Sequence, residues 1–311
     1  MAGGTALTQY DAAQKKRLRT SALLIFLVLP ALLAVSVFLL DSRWYLPLSV
    51  LMLGCIMAPF FMVFERRRPK AREIVLIAMM SAIVTCAQVF FHIVLPIQIG
   101  TALVIISGIA LGPEAGFLVG ALARFVCNFY LGQGLWTPWQ MFCWGLLGFL
   151  AGLCFNRAET GKVNSRSFQA VIGPVMTVLA SEILAYLSWL AWPGTDEGFL
   201  SWRLYAFGAV GLLIGALLGR RRLPCDHLTL GLFTFLSIFI VYGGIMNFAA
   251  LVTSASAMAD GFSLDALRLL YISGVPYDLL HAATATACVL VFGEPLIRKL
   301  ERIKIKYGIY R

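Results

Sequence analysis

The most informative stretch of the chain is Asn128-Phe-Tyr-Leu-Gly-Gln-Gly-Leu-Trp-Thr-Pro-Trp-Gln-Met-Phe-Cys-Trp-Gly145, which joins two strongly apolar runs. It is rich in glycine, proline, tryptophan and amide side chains, and it contains no charged residue. If the flanking runs cross a membrane, this turn places flat aromatic surfaces and uncharged hydrogen-bonding groups at one mouth of a helix bundle. Such a combination suits the recognition of a small polar molecule better than it suits passive packing.

The composition of the whole chain excludes an ordinary soluble domain. Of its 311 residues 60% are hydrophobic and 13% are charged, and the mean hydropathy is +0.86, whereas soluble chains carry roughly 25% charged residues. Lipid offers no hydrogen-bond partner to an exposed backbone, so apolar runs of about 20 residues predict helices. We therefore expect an all-α, polytopic membrane helix bundle with about ten transmembrane segments, near residues 21–40, 45–64, 73–95, 99–112, 114–131, 139–155, 168–192, 203–219, 228–253 and 276–297.

Two of these segments are short and meet at Gly112-Pro113-Glu114. Proline ends one helix and can begin the next, so a single bent, deeply inserted pair is an alternative to two full crossings. Glycines at four-residue spacing let helices approach closely and predict plain helix packing in this part of the chain. They are Gly108, Gly112, Gly116, Gly120, Gly148 and Gly152.

The net charge of +10 indicates membrane topology and not a nucleic-acid partner. All but four of the 25 lysines and arginines fall in alternate loops, at 15–19, 66–72, 157–166, 220–222 and 298–311. The positive-inside rule then predicts that both termini are cytoplasmic, with an even number of crossings. We therefore predict a multi-pass protein of a cell membrane, namely the bacterial cytoplasmic membrane.

A basic linker at 65–72 divides the chain into two parts. Residues 1–72 are predicted to hold the cytoplasmic N-terminus, a transmembrane hairpin and this linker, and residues 73–311 a helical core with a basic cytoplasmic tail. The exterior loop 254–275 includes a stretch, 262–271, whose apolar residues fall at helical spacing. That stretch predicts either a short interfacial helix or a simple connector.

Polar side chains inside apolar segments mark candidate sites, because a centrally placed charge costs about 2.5–3.5 kcal/mol on insertion scales. Under the predicted topology many of them lie in the outer half of the membrane, as expected for a binding cavity. Asp278 and His281, three residues apart, share a helix face. They could instead form a mutually satisfied structural pair, and the tryptophans near 136–144 could be an interfacial belt. The candidates are Arg124, Asn128, Glu182, Asn247, Asp278 and His281.

Motifs for catalysis or metal binding are missing from the sequence. It contains no phosphate-binding Gly-x-x-x-x-Gly-Lys-Ser/Thr element and no Gly-x-Ser-x-Gly nucleophile turn. The seven cysteines lie in or beside apolar segments without metal-ligand spacing, which indicates packing residues. We therefore expect a protein that is not an enzyme, holds no metal or catalytic cofactor and does not itself hydrolyse ATP.

Four stretches resemble the substrate-binding S components of energy-coupling factor (ECF) transporters. Arg72-Glu-Ile-Val-Leu-Ile-Ala-Met-Met-Ser-Ala82 resembles the first core helix of that family. The other three are similar to a subgroup often linked to cobalamin, and they are Ile105–Gly116, Trp136–Gly145 and Ser273–His281. The resemblance covers roughly residues 72–311, and the run from Gly132 to Met141 is its most specific part. Typical family members have six helices, fewer than the ten segments predicted here.

The resemblance implies a membrane subunit that captures a vitamin from outside. Such a subunit joins a transmembrane coupling protein and two cytoplasmic ATPases that use ATP, and it is thought to topple in the membrane to release its cargo. Ala78-x-x-x-Ala82 matches the family's alanine motif, which contacts the coupling protein through a smooth helix face. Ala78 and Ala82 are therefore expected to form part of a docking surface.

Our prediction from the sequence is an S component for uptake of a vitamin or related micronutrient, with cobalamin as the first candidate. Aromatic faces would stack on the ligand, amides would satisfy its polar edges, and Asp278 and His281 would orient it. A stand-alone proton-coupled secondary transporter using Glu182, Asp278 and His281 is the first alternative, and an intramembrane enzyme acting on a lipid or isoprenoid is the second. The residues expected to line the substrate site are Asn128, Trp136, Trp139, Gln140, Tyr277, Asp278 and His281.

Overall fold

The computed structural model of the protein describes residues 71–94, 97–134, 136–160, 165–192, 201–218, 223–255 and 264–307. The predicted hairpin formed by segments 21–40 and 45–64 lies outside these residues, as do most of the basic linker and both chain termini. The predicted division of the chain near residue 72 is therefore still a prediction.

The described residues form nine α-helices, one π-helical turn and two short strands. Seven of the eight segments predicted in this part of the chain coincide with helical stretches to within three residues, because long apolar runs mark them clearly. The elements are α1 (Ala71–Val94), α2 (Ile99–Leu111), α3 (Pro113–Leu131), α4 (Thr137–Cys154), β1 (Phe155–Thr160), α5 (Ser165–Ala191), α6 (Ser201–Leu218), β2 (Leu223–Cys225), α7 (His227–Leu236), the π turn (Ser237–Tyr242), α8 (Gly243–Ala255) and α9 (Leu264–Lys306).

The surface of the bundle is apolar, as a lipid-facing surface requires. Large apolar side chains such as Val75, Leu187 and Val291 are exposed on it. Within the described residues, four helical stretches are long and apolar enough to cross a membrane, and they are Ala71–His92, Pro113–Leu131, His227–Leu251 and Asp265–Lys306. The prediction of a helical membrane protein is confirmed in this form. The number of crossings and the side on which the termini lie are still predictions.

Three core helices pack with their backbones in direct contact. Gly108 of α2, Gly116 of α3 and Gly148 of α4 meet at one crossing point. A Cβ atom at Gly116 would lie 2.5 Å from the Cα of Gly108, and a Cβ atom at Gly148 would overlap the carbonyl oxygen of Gly116. Backbone atoms cannot swing aside as the end of a side chain can, so the crossing requires glycine. The four-residue glycine spacing is helix packing, as predicted.

The turn between α2 and α3 consists of one residue, Gly112. Its φ of 110° and ψ of 168° fall in a region that is essentially confined to glycine. Pro113 follows as the first residue of α3, where its missing N–H removes no helical hydrogen bond. The 13 residues of α2 rise only about 20 Å, whereas a bilayer core is about 30 Å thick. The length of α2 therefore fits the bent-pair alternative better than a full crossing.

Helices α3 and α4 run antiparallel, with facing residues spaced four apart on α4 and three or four apart on α3. The stripe begins with backbone contacts between small residues and ends with a hydrogen bond between two polar side chains. The facing pairs, in order, are Gly152 with Pro113, Gly148 with Gly116, Trp144 with Gly120, and Gln140 with Arg124. One helix interface thus sets the close packing and the position of the polar groups.

The last helix differs from the prediction, which began a segment at residue 276 and expected a separate helix or connector before it. Instead α9 is continuous from Leu264 to Lys306, and Pro276 lies inside it. A proline removes one helical hydrogen bond, but packing holds the chain on both sides of it. The Tyr271 hydroxyl donates to the Gly244 carbonyl at 2.6 Å before the proline, and Asp278 is held by two side chains after it. Tertiary contacts thus override the local stop signal.

Two other features were not predicted. The stretch 228–253 was expected to be one helix, but the π turn interrupts it and separates α7 from α8. Strands β1 and β2 pair in parallel, with Phe155 opposite Leu223, so a short ladder accompanies the helices. Six residues of β1 and three of β2 are too few to change the helical class of the fold.

Helices α5 and α6 pack against each other through Gly211, where a Cβ atom would overlap the Ser181 hydroxyl.

One end of the bundle gathers basic side chains around helix ends. Lys304 of α9 donates from Nζ to the Ala110 carbonyl at 2.7 Å, which satisfies a carbonyl near the C-terminus of α2. At the start of α1, Arg72 donates to the Tyr307 carbonyl at 3.3 Å. These contacts join the first and last described helices to the α2–α3 turn. The polar groups of the α3–α4 stripe lie toward the opposite end.

Substituting Gly148 by alanine tests the backbone crossing. We expect Gly148→Ala to lower the stability of the folded bundle by about 1–3 kcal/mol, because α3 and α4 must move apart to admit a methyl group. Thermal unfolding of the purified protein in detergent measures the change.

Gly244→Ala is the matched control, since a Cβ atom there has Tyr205 atoms at 3.8 and 3.9 Å as its nearest neighbours. Alanine also favours a helix over glycine by up to about 1 kcal/mol, so the control should unfold at the wild-type temperature or above it. Equal unfolding temperatures for wild type and Gly148→Ala would contradict the crossing.

Candidate functional site

Polar side chains from α3 and α4 meet at the end of their shared stripe. The Oε1 atom of Gln140 accepts hydrogen bonds from Arg124 Nε at 2.9 Å and from Asn128 Nδ2 at 3.0 Å. The guanidinium of Arg124 lies over the ring of Trp144, 5.1 Å from its centroid. We call Arg124, Asn128, Gln140 and Trp144 the arginine cluster. It combines a cation, two amides and an indole between two helices.

The turn that precedes α4 is organised around the hydroxyl group of Thr137. This hydroxyl donates to Gln133 Oε1 at 2.9 Å, and it accepts from the Gly134 amide at 3.1 Å and from Asn128 Nδ2 at 3.3 Å. Thr137 is fully buried. These bonds tie the Gly-Gln-Gly and Trp-Thr-Pro-Trp-Gln parts of the opening stretch to each other, and so fix the entry to α4.

A second cluster joins α6, α8 and α9. The Oδ2 atom of Asp278 accepts from the Tyr205 hydroxyl at 2.6 Å and from Asn247 Nδ2 at 2.8 Å. We call Tyr205, Asn247 and Asp278 the aspartate cluster. Asp278 is 4% exposed, so a carboxylate that would be costly at this depth is compensated by donors from two other helices.

His281 lies one turn further along α9 and uses different partners. Its Nε2 atom is 3.0 Å from the Thr101 hydroxyl of α2. Its ring meets the ring of Tyr242, the last residue of the π turn, edge to face at 4.5 Å between centroids. The alternative in which Asp278 and His281 satisfy each other is wrong, because each is held by groups on other helices. Glu182 lies elsewhere, against Gly208 in the α5–α6 pair.

Helix α8 connects the aspartate cluster to α4. The ring of Trp139 in α4 packs edge to face on Phe248 at 5.9 Å, and Phe248 directly follows Asn247 in α8. The tryptophan-glutamine turn and the first half of α9 thus both contact α8. That they line one substrate cavity is still a prediction.

The seven residues predicted to line a substrate site differ in exposure. Asn128, Trp139, Asp278 and His281 are buried, and Gln140 is partly buried. Trp136 is 45% exposed, with its ring against Gly134, and Tyr277 is 63% exposed. Five of the seven thus face other helices, whereas two lie at the surface of the isolated chain. Their role in binding is still a prediction.

Ala78 and Ala82 lie on the exposed face of α1. Apolar side chains surround them, and Val75, Met79 and Ile83 are all exposed on the same helix. After Glu73, the sequence of α1 contains no Asp, Glu, Lys or Arg. The surface is therefore smooth and apolar, which suits contact with another membrane helix or with lipid.

Several polar residues of the two clusters were not among the predicted site residues. Arg124 and Asn247 had been noted as polar groups inside apolar segments, and that signal would have sufficed to include them. Thr101, Tyr205 and Tyr242 gave no such signal, because hydroxyl side chains are common in apolar helices. Only the three-dimensional arrangement shows that they contact Asp278 and His281.

The groups of the two clusters are of kinds that can contact a small polar molecule. Its groups supply hydrogen bonds, aromatic faces, one cation and one carboxylate. Within the described ranges, no three His, Cys, Asp or Glu side chains form a group that could hold a metal ion. The cysteines whose side chains are described are free thiols, namely Cys86, Cys127, Cys143, Cys154 and Cys288.

The place of Asp278 in the fold can be tested by two substitutions. Asp278→Ala leaves Tyr205 and Asn247 without their acceptor, and each unsatisfied buried donor costs about 1–3 kcal/mol. Asp278→Asn keeps an acceptor oxygen for both donors and should unfold close to the wild-type temperature. Thermal unfolding of both variants in detergent checks this, and an Asn variant as unstable as the Ala variant would contradict it.

Two comparisons with known proteins give a match to part of the chain. A family model described as "ECF-type riboflavin transporter, S component" matches residues 69–196, which contain α1 to α5. A UPF0397 protein of Vibrio atlanticus (strain LGP32) is 28% identical over 109 residues, which are 34% of this chain and 53% of that protein. The chain thus spans about half the length of this relative. No solved structure gives a significant match.

These similarities support the resemblance to ECF S components that the sequence motifs indicated. The matched model carries riboflavin in its description, so the cobalamin-type subgroup is still a prediction. The matched segment contains α2, α3 and α4, and with them the whole arginine cluster. The part of this chain that builds the backbone crossing and the arginine cluster is similar to the S component of an ECF-type transporter.

Proposed function

We propose that this protein is the substrate-binding subunit of an ECF-type importer in the bacterial cytoplasmic membrane. It captures a vitamin or related micronutrient from outside the cell. It is not itself an enzyme, and ATP is hydrolysed by two cytoplasmic ATPase subunits that reach it through a transmembrane coupling protein. Both termini are cytoplasmic, on the side of the basic loops.

One observation carries this proposal. The segment that is similar to an S-component model, residues 69–196, is the segment that contributes the arginine cluster and the organised turn around Thr137. Polar groups inside a membrane bundle are expensive, and where they occur they usually mark a substrate pathway. The helices α2, α3 and α4 are thus both similar to an S-component model and the carriers of polar groups that are costly in a membrane.

Cobalamin is the first candidate for the cargo, and the description of the matched family model makes riboflavin the second. In the proposed site Trp136, Trp139 and Tyr277 offer aromatic faces, and Asn128 and Gln140 offer amides. Asp278 and His281 orient the ligand from the first half of α9. Both candidates have extended ring systems and polar edges, so both fit this set of groups.

The structure gives less support to a proton-coupled secondary transporter. That alternative needs Glu182, Asp278 and His281 to exchange protons along one path. Instead, Asp278 is held by Tyr205 and Asn247, His281 is held by Thr101, and Glu182 lies in the α5–α6 pair. Asp278 and His281 thus use separate partners, and Glu182 lies on a different helix from both.

The proposed cargo can be identified directly. We expect the purified protein to retain a small molecule that mass spectrometry identifies as a vitamin or a close derivative. Titration with cobalamin and with riboflavin then ranks the two candidates. Two results together would contradict the proposal. Cells would take up the vitamin independently of the ATPases, and the purified protein would neither retain nor bind such a molecule.

Docking through α1 is tested by adding bulk to its smooth face. Ala78→Trp should abolish ATP-dependent uptake in cells that also contain the coupling protein and ATPases, while cargo binding by the purified protein stays within about twofold of wild type. The physical reason is steric, since an indole would separate helices that approach closely at small residues.

The matched control is Ala180→Trp, which adds the same bulk at an exposed alanine of α5. This variant should transport normally, because Ala180 has no alanine four residues before or after it and so is not part of an alanine motif. Wild-type uptake by the Ala78→Trp variant would show that this face of α1 is not the docking surface.

A further inference from the structure

Arg124 is a cation inside the bundle that has no acidic partner among the described residues. It lies in α3, within a stretch long and apolar enough to cross a membrane, and is only partly exposed. Its guanidinium is held by Gln140 and by the face of Trp144. Both are uncharged, so they hold the cation in place without neutralising it.

None of the described carboxylates contacts Arg124. Asp278 accepts its two hydrogen bonds from Tyr205 and Asn247, and Glu182 lies against Gly208. Ion pairs among the described residues include those of Asp265 and Glu294 with Arg268, Arg298 and His227. A charge at membrane depth costs about 2.5–3.5 kcal/mol on insertion scales, so an unneutralised arginine here calls for a negative partner from outside the described chain.

The arginine cluster also holds hydrogen-bonding capacity that the described residues do not use. The bond from Arg124 to Gln140 uses Nε, which leaves the donors on its two terminal nitrogens. The Nε1–H of Trp144 is buried without an acceptor, although Trp144 is only 1% exposed. Asn128 Oδ1 is a buried acceptor without a donor. Unsatisfied buried polar atoms are uncommon in folded proteins, and here two of them belong to one four-residue cluster.

From this geometry we infer that the cargo carries an oxyanion, a phosphate or carboxylate group, which binds to Arg124. A guanidinium is suited to this task, because its terminal nitrogens match the two oxygens of such a group. The Trp144 N–H supplies a further donor beside it, and Asn128 Oδ1 accepts from a neighbouring N–H or O–H group of the ligand. This inference rests on the proposed function, since it names the chemical class of the molecule that the subunit captures.

The inference also ranks the candidate cargoes. Cobalamin contains a phosphodiester, whereas riboflavin carries no ionised phosphate or carboxylate. An uncharged cargo would not neutralise Arg124. Binding would then remove the guanidinium from water without a counter-charge, which costs free energy. An oxyanion in the cargo would remove that cost and would add a charge-assisted hydrogen bond.

The test begins with the molecule that the wild-type protein retains on purification. Mass spectrometry should show a small molecule with a phosphate or carboxylate group. A retained molecule without such a group would overturn the inference, although it would leave the proposed importer intact. A retained phospholipid would place the same chemistry in a lipid headgroup, and would overturn the assignment to the cargo.

Variants of Arg124 then show whether this residue holds the anion. Arg124→Gln should weaken retention of that molecule roughly tenfold to a hundredfold, the range expected for a hydrogen bond to a charged group. Arg124→Lys keeps the charge without the planar fork and should fall between Gln and wild type. Arg268→Gln removes an arginine whose partner is Asp265 at the surface, and it should bind as wild type does. Equal retention by Arg124→Gln and wild type would overturn the inference.

Inorganic phosphate serves as the probe where no molecule is retained or where Arg124→Gln does not fold. Phosphate should raise the unfolding temperature of the wild-type protein and of Arg268→Gln in a saturable way, relative to chloride at equal ionic strength. Arg124→Lys should need more phosphate for the same rise. No rise in the wild-type protein, or an unchanged midpoint in Arg124→Lys, would overturn the inference. Transport assays with the partner subunits test the importer separately.

Discussion

The structure depends on a backbone contact between three helices. Gly108, Gly116 and Gly148 bring α2, α3 and α4 so close that no side chain fits between them. In lipid, apolar side chains gain little by leaving their surroundings, so such helices are held by close van der Waals packing and by hydrogen bonds between them. The one-residue turn at Gly112 belongs to the same contact, because it places Gly108 opposite Gly116. The register of the surrounding bundle follows from this crossing.

The same register determines where the polar groups of α3 and α4 lie. Along α3, Gly116, Gly120, Arg124 and Asn128 lie on one face, and α4 presents its facing residues at the same four-residue spacing. Once Gly148 sits against Gly116, Gln140 is placed opposite Arg124 and their hydrogen bond of 2.9 Å follows. The close glycine packing and the proposed binding groups thus lie at the two ends of one stripe. The similarity of residues 69–196 to an S-component model covers the whole of it.

Much of this could be predicted from the sequence, and the exceptions have physical causes. Apolar length located the helices, and glycine spacing identified close packing, because both depend on local composition. The continuity of α9 through Pro276 could not be read locally, since contacts with Gly244, Tyr205 and Asn247 outweigh the lost backbone bond. The partners of Asp278 and His281 were also missed. They come from helices distant in sequence, and hydroxyl groups in apolar segments carry no distinguishing pattern.

The π turn at Ser237–Tyr242 has a consequence for how the bundle could rearrange. Such a turn holds about one residue more than an α-helical turn, and α7 and α8 on either side both pack on α9. If the extra residue were wound back into α-helix, α8 would rotate about its axis by about 100° relative to α7. Asn247 would then swing away from Asp278, while Gly231 of α7 kept its place beside Leu290. A screw-like repacking could therefore open one wall of the bundle without moving the glycine crossing.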